Sequence, residues 1–567
     1  MDKTIENGSV TSGSRALVET LLREGVEVIF GYPGGAIIPV YDALYDYRER
    51  VRHVLARHEQ GAVHAAQGYA RVSSRVGVCM VTSGPGATNT VTGLADAMAD
   101  STPLVLITGQ VGSAQLGTNA FQEVDILAIT RPVTKWGYQV RRAAEIPRVL
   151  SRAFHVARGG RPGPVVVDIT RDAQQEMAPF RPEPAPDAPG DAPAPDPRQV
   201  RAAVELIRAA RRPMVLFGQG VTLGGAEREL AAFVEKSGIP AAATLLGLSA
   251  LPSSHPLYVG MLGMHGNYAP NIKNRECDLL VAVGMRFDDR VTGDPLKFGA
   301  NARVIHLEID PAEIDKIIRA DVPLVGDVKV TLPLLTAAIE PADRSAWARE
   351  FRASARVEQR ETIRPAIHPL GPALCMGEVA RAVSRAYRDD AILVTDVGQQ
   401  QVFACRYFRY KRPRSVVTSG GLGTMGFGLP AAIGAKLGAP GREVCLFVGD
   451  GGLQMTIQEL ATVAQLKLPV KIVLMNNGYL GMVRQWQEMF YRKRYAFTEI
   501  ANPDFACIAR AHGIAYRRVE RREELPAAIR EMKRRPGAFL LEARVMQEEN
   551  VFPMIPAGAA VEDILLK

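Results

Sequence analysis

The stretch LFVGDGGLQMTIQELATVAQLKLPVKIVLMNN, residues 446–477, has the pattern of a strand, a turn, a helix and a second strand. An apolar run leads into Asp450, which stands between glycines, and residues 453–467 then carry apolar side chains at helical spacing. Leu468-Pro469 ends the predicted helix, and the β-branched run VKIVLM follows it. Parallel strands joined through a helix end at one edge of a sheet, so we expect Asp450 and Asn476-Asn477 to lie close together.

Asp450 is the residue of this unit that most needs a partner. An ionised carboxylate at the end of a buried strand costs several kcal/mol unless its charge is compensated. A carboxylate oxygen, an amide oxygen and glycine amides that can face a phosphate are together typical of a magnesium–diphosphate site. The alternative is a structural aspartate that caps the following helix. The Asn-Asn pair, placed after a 24-residue spacer, favours the metal–diphosphate interpretation.

Length, composition and charge limit the classes of protein to be considered. A chain of 567 residues exceeds what one hydrophobic core usually supports, and 47% apolar with 23% charged residues is ordinary for a globular protein. The six cysteines are dispersed, which argues against a disulfide framework or a zinc ribbon and indicates a reducing compartment. We find no export signal and no apolar run long enough to span a membrane, so we expect a cytoplasmic protein of bacterial type. The net charge of +8 is spread along the chain, which does not favour nucleic-acid binding but helps to gather small anions.

Short β-rich runs alternate with helical patterns in three blocks of the chain. The runs include EVIFGY, VCMVTSG, PMVLFGQG, DLLVAVG, RVIHLEID, AILVTDVG, EVCLFVGD and VKIVLMNN. Their nearly continuous apolar character is typical of parallel sheets covered by helices on both faces, so we predict an α/β fold of three open parallel-sheet domains. The predicted organisation is a domain over 1–178, a proline-rich linker over 179–197, a central domain over 198–345, a linker over 346–370 and a domain over 371–567.

The pattern G-D-G-x(24)-N-N resembles the signature of thiamine-diphosphate enzymes. That family has a second essential element, a glutamate beside the aminopyrimidine ring of the cofactor, and the segment RHEQGAVHAAQGYAR supplies a matching Glu59. A zinc-protease interpretation of His58-Glu59 fails, because H-E-x-x-H requires a histidine where this chain has Ala62. The remaining alternative for Glu59 is an ordinary carboxylate on a helix surface. The resemblance implies that Glu59 exchanges a proton with the cofactor ring.

The segment SGGLGTMGFGLPAAIGA contains G-x-G-x-x-G at Gly421, Gly423 and Gly426. A dinucleotide-binding loop is the first alternative, but no clear second strand ends in an acid about twenty residues later. The segment is similar instead to the part of thiamine enzymes that underlies the thiazolium ring. By that resemblance, Met425 bends the cofactor, whereas the alternative for Met425 is an ordinary core methionine.

From about residue 13 to 560 the chain resembles the catalytic large subunits of the acetolactate synthase family. The similarity is carried by FGYPGGAIIPVYDAL, HEQGA, VTSGPGATN, GTNAFQEVD, GRPGPVVVD, MLGMHG, RFDDRVTG, GLGTMGFGLPAAIGA and GMVRQW. The pair RFDDRVTG and GMVRQW is the most particular to this family. The three domains would then bind the pyrimidine, FAD and the diphosphate, in chain order.

The resemblance implies a role for individual residues. The implied catalytic residues are Glu59, Gly35 and Gln122, and the implied substrate residues are Arg290, Trp486 and Phe121. Magnesium would be held by Asp450, Asn477 and the backbone carbonyl of Tyr479. Thiamine diphosphate would contact Glu59, Pro33, Gly34, Pro85, Asn89, Val397, Gly398, Gln399, Gln400, Gly423, Met425, Gly449, Gly451, Gly452 and Met482. Gln400 departs from the family, which usually has histidine there.

The central domain is expected to bind FAD at the ends of its strands, as dinucleotides do on parallel sheets. The implied contacts are Arg161, Gly218, Gly220, Thr244, Leu245, Leu262, Gly263, Met264, His265, Gly284, Arg286, Asp288, Arg290, Glu308, Asp310 and Asp327. In this family the flavin takes no net part in the reaction.

The function implied by the resemblance is decarboxylation of pyruvate and transfer of its two-carbon unit to a second pyruvate or to 2-ketobutyrate. A rigid indole at Trp486 would favour 2-ketobutyrate, since a methylene in an apolar pocket is worth about 1–3 kcal/mol. The alternatives are a flavin oxidoreductase of the pyruvate-oxidase type, an enzyme like glyoxylate carboligase, or a non-catalytic nucleotide-binding protein. Expected partners are a second copy of the chain, as a homodimer or homotetramer, and a small regulatory subunit.

Overall fold

A computed structural model describes residues 5–182 and 194–567 of the chain. The chain forms two compact units. One contains the described residues up to 182 together with 419–442 and 453–470, and the other contains 194–418, 443–452 and 471–567. Most of the predicted proline-rich linker, residues 183–193, lies outside the described residues.

The N-terminal part contains a six-stranded parallel sheet and a small antiparallel pair. Its strands are Val10–Ser12 (β1), Val28–Tyr32 (β2), Arg52–Leu55 (β3), Gly77–Val81 (β4), Leu104–Gln110 (β5), Trp136–Val140 (β6), Pro164–Thr170 (β7) and Met177–Pro179 (β8). Its helices are Gly13–Arg23 (α1), Ile38–Asp46 (α2), Glu59–Ser73 (α3), Pro85–Thr88 (α4), Val91–Ala99 (α5), Ile126–Thr130 (α6), Ile146–Arg158 (α7) and Arg171–Gln175 (α8). The sheet order is β3-β2-β4-β5-β7-β6, and β1 pairs with β8.

The middle part contains a second parallel sheet. Its strands are Pro213–Phe217 (β9), Ala241–Ala243 (β10), Tyr258–Met261 (β11), Leu279–Val283 (β12), Arg303–Glu308 (β13) and Val322–Val325 (β14). Its helices are Pro197–Ala209 (α9), Gln219–Leu223 (α10), Glu227–Ser237 (α11), Tyr268–Glu276 (α12), Asp289–Thr292 (α13) and Val328–Ala338 (α14). The strands follow the order β11-β10-β9-β12-β13-β14.

The C-terminal part contains the third sheet. Its strands are Ile392–Thr395 (β15), Val416–Val417 (β16), Val444–Gly449 (β17), Val470–Asn476 (β18), Ala515–Val519 (β19) and Phe539–Arg544 (β20), in the order β16-β15-β17-β18-β20-β19. The helices are Ser345–Glu358 (α15), Arg364–Ile367 (α16), Met376–Ala386 (α17), Gln399–Tyr407 (α18), Gly428–Gly438 (α19), Asp450–Met455 (α20), Leu460–Gln465 (α21), Gly481–Phe490 (α22), Phe505–Ala511 (α23) and Leu525–Arg534 (α24). The predicted linker over 346–370 is mostly helical, because α15 continues through a π-helical segment, Gln359–Ile363, into α16.

The α/β class with three parallel sheets is confirmed, and each quoted β-rich run contains a strand. All seven residues of β5 and of β7 are buried, as expected for strands covered on both faces. One local prediction is wrong in detail: the single helix expected over 453–467 is divided into α20 and α21. The division falls at Thr456, whose backbone leaves helical geometry and whose hydroxyl donates to the carbonyl of Gly426 at 3.0 Å. None of the described helices is both long and apolar enough to cross a membrane.

Helices α3 and α19 pack so closely that the glycines of each helix lie against backbone carbonyl groups of the other. A Cβ atom placed on Gly434 would lie 1.8 Å from the carbonyl oxygen of Ala65, and one placed on Gly68 would lie 2.1 Å from the carbonyl oxygen of Ala431. Neither position accepts a side chain unless a helix moves, so glycine is required on both sides of the contact.

Candidate functional site

Asp450 follows β17 and is the first residue of α20, with only 1% of its surface exposed. Its Oδ2 accepts hydrogen bonds from the amide of Gly478 at 2.8 Å and from Nδ2 of Asn502 at 2.7 Å, while Oδ1 accepts from the amide of Gly451 at 3.2 Å. Burial raises the pKa of Asp450, and the hydrogen bonds from Asn502 and Gly478 oppose that rise. Burial is the larger effect, so a bound cation would offset a desolvation cost that remains at this carboxylate.

The two asparagines at the end of β18 have different environments. Asn476 donates from Nδ2 to Oε1 of the buried Glu542 at 2.8 Å, which ties it to strand β20. Asn477 accepts the amide of Tyr479 on its Oδ1 at 3.2 Å, and Gly478 between them has φ +72°. Since the Gly478 amide binds Asp450, both neighbours of Gly478 flank that carboxylate. The predicted magnesium residues are therefore grouped at the ends of adjacent strands.

This grouping contains a single carboxylate, with an amide and a backbone carbonyl as the other predicted ligands. No group of three or more His, Cys, Asp or Glu side chains suited to a metal is found in residues 5–182 and 194–567. Oxygen donors from amides and carbonyls that share a cation with phosphates suit magnesium, whereas zinc selects imidazole and thiolate ligands. The donor set fits the predicted magnesium.

The predicted diphosphate residues lie in glycine turns after β15 and β17, which are neighbours in the sheet. Gly398 has φ +145°, and a Cβ placed on it would lie 2.5 Å from Oε1 of Gln400. A Cβ on Gly449 would lie 3.1 Å from the same atom, and one on Gly452 would lie 2.4 Å from Oδ1 of Asp396. Side chains are thus excluded from these turns, which leaves backbone amides and the N-terminus of α18 as groups that suit an anion.

Gln399, the first residue of α18, links these turns to helix α22. Its Nε2 donates to Oε1 of Gln485 at 3.0 Å and to the carbonyl of Glu549 at 2.8 Å. Its Oε1 is buried and has no hydrogen-bond partner in the described part of the chain. A buried acceptor of this kind costs free energy unless a ligand or water satisfies it, which agrees with a polar ligand beside Gln399.

Helix α22 carries two of the predicted residues, Met482 and Trp486, four positions apart and therefore on one face. The indole of Trp486 is partly buried, with its ring 5.0 Å from that of Phe490. Other sides of the helix are held firmly: Arg484 donates to Oδ1 of Asn550 at 2.6 Å, and Gln485 exchanges hydrogen bonds with the backbone of Val551 at 2.8 and 3.1 Å. The tryptophan is presented by a fixed helix.

Glu59 belongs to the other unit and is the first residue of α3. The Nδ2 atom of Asn89 donates to its Oε2 at 2.9 Å, and a Cβ on Gly86 would lie 3.4 Å from its Oε1. Asn89 follows α4, which begins at Pro85, so the predicted pair Glu59 and Asn89 is brought together by the turn after β4. Glu59 is only partly buried.

The predicted residues of the two neighbouring loops are more open. A Cβ on Gly34, next to Pro33, would lie 2.5 Å from Cγ2 of Thr82, whereas Gly35 has no atom within 4 Å of such a Cβ. Gln122 has φ +61°, which is uncommon for a residue with a side chain and marks a strained backbone. Phe121 beside it is 87% exposed. Glu123 braces this loop through hydrogen bonds from the amides of Gly117 and Ala120.

The glycine-rich loop with Gly423 and Met425 is held by two buried carboxylates. Asp100 accepts the amides of Gly420 and Gly421 at 2.9 and 2.6 Å and also pairs with Arg71, and Asp96 accepts the hydroxyl of Thr424 at 2.8 Å. Burial raises the pKa of Asp100, and Arg71 opposes the rise. Gly423, with φ +71°, has open space where a side chain would begin, and Met425 is partly buried.

Glycines line the predicted flavin crevice at the ends of β9 and β12, two adjacent strands. A Cβ on Gly218 would lie 2.5 Å from the carbonyl oxygen of Gly284, and one on Gly220 would lie 2.6 Å from the Cα of Gly284, which has φ +55°. The two turns pack backbone against backbone. Glycine is therefore required at these positions for the two turns to pack together.

The acidic residues predicted for the flavin bind their own turns. Glu308 accepts the amides of Ile309 and Asp310 at 2.9 and 3.2 Å. Asp310 accepts the amide of Ala312 at 3.0 Å, and Asp327 accepts that of Lys329 at 2.8 Å. These carboxylates have a structural role whether or not they also contact a ligand.

The other predicted flavin residues are divided between the units. Those in the same unit as the glycine turns are Thr244, Leu245, Leu262, Gly263, Met264, His265, Arg286, Asp288 and Arg290. Arg161 lies in the other unit, where its Nε donates to Oγ of Ser101 at 2.8 Å. Burial lowers the pKa of His265 to about 4, so its imidazole is neutral at physiological pH. Arg290 has 60% of its side chain exposed, and Nη1 lies 3.5 Å from Sδ of Met264.

Sequence reasoning missed several residues that support these groups. Asn502 reaches Asp450 because residues 498–500 bind the turn at Gly478 and Leu480 through backbone hydrogen bonds of 2.7 and 2.8 Å. Asn502-Pro503 is a turn signal in the sequence, but its spacing does not connect it with Asp450. Asp96 and Asp100 lie on and after a helix without any motif that marks them.

Three family models match successive parts of the chain, and several relatives match nearly its full length. Residues 11–129, 200–335 and 396–543 match the N-terminal TPP binding domain, the central domain and the C-terminal TPP binding domain of thiamine pyrophosphate enzymes. The chain is 47% identical to an acetolactate synthase of Mycobacterium bovis, with 98% of this chain and 91% of the relative covered. It is 43% identical to the acetolactate synthase large subunit of Lactococcus lactis, with 99% and 97% covered. It is 44% identical to the acetolactate synthase isozyme 2 large subunit of Escherichia coli, with 98% of this chain and 100% of the relative covered.

Proposed function

Because the chain belongs to the acetolactate synthase large-subunit family of thiamine-diphosphate enzymes, we propose that it joins two 2-keto acids with loss of carbon dioxide. The donor is pyruvate, and the acceptor is a second pyruvate or 2-ketobutyrate. The observation that carries the proposal is the buried carboxylate of Asp450 bound by the Gly478 amide between two strand ends, beside glycine turns that exclude side chains.

Asp450, Asn477 and the carbonyl of Tyr479 would hold Mg²⁺. The support for this role is the raised pKa of Asp450, which reflects a desolvated carboxylate, together with oxygen donors on both sides of Gly478. The turns at Gly398 and Gly449 would hold the diphosphate through backbone amides, with Gln399 offering a buried acceptor. Thiamine diphosphate supplies an electron sink for decarboxylation when it is bound.

Glu59 would exchange a proton with the ring nitrogen of the aminopyrimidine. The hydrogen bond from Asn89 orients Oε2, and Gly86 leaves the space beside Oε1 free of a side chain. Gly35 and Gln122 would line the reaction centre. The open space at Gly35 leaves room for a substrate, and the amide of Gln122 would donate to developing negative charge.

Arg290 would bind the carboxylate of the acceptor, and Trp486 would contact its alkyl group. The side chain of Arg290 is 60% exposed, and its Nε lies 3.8 Å from Oδ2 of Asp289; the guanidinium would exchange this ion pair for a bidentate pair with a small carboxylate. The indole is rigidly presented by α22, so its surface can distinguish a methyl from an ethyl group. Phe121 would cover the same substrate from an exposed loop.

FAD would bind in the crevice at Gly218, Gly220 and Gly284, with a structural function. The support is the close backbone packing of these turns at adjacent strand ends. The domain boundaries given above, assembly as a homodimer or homotetramer, association with a small regulatory subunit and a cytoplasmic location remain predictions.

The test is an end-product assay on the purified protein supplied with pyruvate, thiamine diphosphate, Mg²⁺ and FAD. We expect acetolactate and carbon dioxide in equal amounts, without oxygen consumption. Formation of acetate with uptake of oxygen would overturn the proposal in favour of a flavin oxidase. A parallel reaction with 2-ketobutyrate added in competition measures the acceptor preference.

A further inference from the structure

Glu459 is a buried carboxylate that none of the roles above uses. It lies at the division between α20 and α21, where only 1% of its surface is exposed. Its Oε1 accepts the backbone amides of Arg57 at 2.9 Å and of His58 at 3.2 Å, and its Oε2 accepts the hydroxyl of Thr462 at 2.7 Å. The segment after the G-D-G motif thus binds the two residues that immediately precede Glu59.

The His58 amide belongs to the start of α3, where backbone N–H groups have no acceptor within the helix, and the Arg57 amide directly precedes it. His58 is the N-cap residue, and its own ring accepts the amide of Gln60 at 3.1 Å. A carboxylate at this end also interacts favourably with the helix dipole. Glu459 therefore completes the N-terminus of the helix whose first residue is Glu59.

Gly61 shows how closely the carboxylate lies against the first turn of α3. A Cβ placed on Gly61 would be 2.5 Å from Oε1 of Glu459. At the exposed edge of this contact, the side chain of Arg57 also donates a hydrogen bond to Oε1 of Gln465 at 2.6 Å. Burial raises the pKa of Glu459, and the donors Thr462, Arg57 and His58 oppose that rise. The carboxylate is held in one position by groups on both segments.

We propose that Glu459 is a positioning residue for Glu59: by binding the amides of Arg57 and His58, it sets where the Glu59 carboxylate meets the aminopyrimidine ring. This inference rests on the proposed function of Glu59. The Asn89 bond orients the end of the Glu59 side chain, whereas Glu459 places the backbone from which that side chain extends. A displacement of about 1 Å at a reacting group can cost roughly 100-fold in rate, so a backbone shift here has a large effect.

The first measurement needs neither cofactor nor substrate. Amide hydrogen exchange is followed in peptides that cover residues 55–60 of the apoprotein, for Glu459→Ala and Glu459→Gln. We expect exchange at Arg57 and His58 to accelerate at least tenfold in the alanine variant. The glutamine variant keeps an acceptor oxygen of the same shape, so it should restore most of the protection and also guards against a folding failure. Unchanged exchange in the alanine variant would overturn the contact.

The second measurement separates positioning from a purely structural role. Thiamine diphosphate affinity and the rate of deuterium exchange at C2 of the bound thiazolium are compared for the same variants. We expect Glu459→Ala to slow C2 exchange about 10- to 100-fold while affinity changes less than fivefold, since the diphosphate turns are intact. Faster amide exchange with an unaltered C2 exchange rate would show that Glu459 only stabilises the fold, and would overturn the proposal.

Glu19→Gln is the matched control, because Glu19 is equally buried in the same unit and lies 3.9 Å from Arg50, away from α3. It should change neither measurement. Glu59→Gln identifies a failure of the underlying function: if that variant leaves C2 exchange intact, the proposed role of Glu59 is wrong, and with it the positioning role. The amide-exchange measurement does not depend on the role of Glu59, so that outcome leaves its result unaffected.

Discussion

The carboxylates of Asp450 and Glu59 occupy opposite environments. Asp450 is buried at a strand end, accepts two short hydrogen bonds on one oxygen and stands between glycine turns that exclude side chains. Glu59 is partly exposed, accepts one hydrogen bond from a side chain and is surrounded by loops with open space at Gly35 and an exposed Phe121. Within their own units, the surroundings of Asp450 are closed and those of Glu59 are open; these are called the closed half and the open half.

The difference predicts that the two halves have separate functions. A closed, preorganised group of donors suits tight binding of a cation and phosphates, whose geometry does not change during the reaction. An open group leaves room for the substrate and for movement of a proton. We therefore expect substitutions in the closed half to alter cofactor affinity and substitutions in the open half to alter turnover.

The largest effect is expected for Glu59→Gln. Removal of the proposed proton-exchanging group should lower kcat about 10²- to 10⁴-fold, whereas affinity for thiamine diphosphate should change only a few-fold. Steady-state acetolactate formation and a cofactor titration by intrinsic fluorescence measure the two quantities. Glu49→Gln, at a carboxylate with 91% of its side chain exposed, is the control and should match the unaltered protein. A large loss of affinity for thiamine diphosphate in Glu59→Gln would contradict this separation of functions.

Asp450→Asn should give the converse result. The apparent affinity for Mg²⁺ should fall by at least about 100-fold. Loss of a residue that only hydrogen-bonds to a metal ligand costs roughly 10- to 100-fold in affinity, and Asp450 is proposed to be a ligand itself. The apoprotein should keep its thermal stability, since burial raises the pKa of Asp450 and the ionised form is therefore the costly one. Calorimetric titration with Mg²⁺ and thermal unfolding test both statements, with Glu340→Gln as an exposed control in the same unit.

A smaller effect is expected at the proposed acceptor pocket. Trp486→Leu should reduce the preference for 2-ketobutyrate over pyruvate about tenfold, with little change in cofactor affinity, because it removes one apolar surface of the pocket. The two products are separated chromatographically in a competition assay. Trp136→Phe replaces an indole that stacks on Tyr138 in the N-terminal sheet and should leave the ratio unaltered. An equal change in both variants would remove Trp486 from the pocket.

The smallest expected effect concerns pH. Burial raises the pKa of Glu549 to about 7, and its Oε2 accepts the amide of Met376 at 2.8 Å. The folded protein therefore holds this proton more tightly than the unfolded chain. The stability contributed by Glu549 is fully present in acid, falls as the pH rises above about 4.5 and is lost above about 7. Glu549→Gln should thus unfold at the same temperature as the unaltered protein at pH 5 but about 1–3 °C higher at pH 8.

Differential scanning fluorimetry across that range measures the difference. Because Glu549 also accepts Gln399 and Arg484 on its backbone carbonyl, the variant keeps those contacts with the closed half. A temperature difference that does not vary with pH would show that Glu549 is not titrated in the folded protein.

The predictable part of the fold is the part governed by local pattern. Buried parallel strands appear as continuous apolar runs, and the glycine turn after β17 identifies the strand end where Asp450 lies. Glu59 was found only through the family resemblance, because no glycine separates it from β3. The division of α20 from α21 was not predictable, because it depends on the bond between Thr456 and Gly426, thirty positions apart. Asn502, Asp100 and Glu459 were missed for the same reason. Their partners are distant in sequence, and a carboxylate or amide that binds backbone N–H groups leaves no pattern in its own neighbourhood.

The contact between α3 and α19 restricts how this enzyme can change over time. Gly68 and Gly434 each face a carbonyl oxygen that a methyl group would strike, so any single substitution at either position pushes the two helices apart. The position of the helix that carries Glu59 therefore cannot be altered in small steps by substitutions at these two glycines. Under the roles proposed for Trp486 and Phe121, new substrate ranges in descendants of this protein are expected to arise instead by replacement of side chains on α22 and on the loop at Phe121, which is 87% exposed.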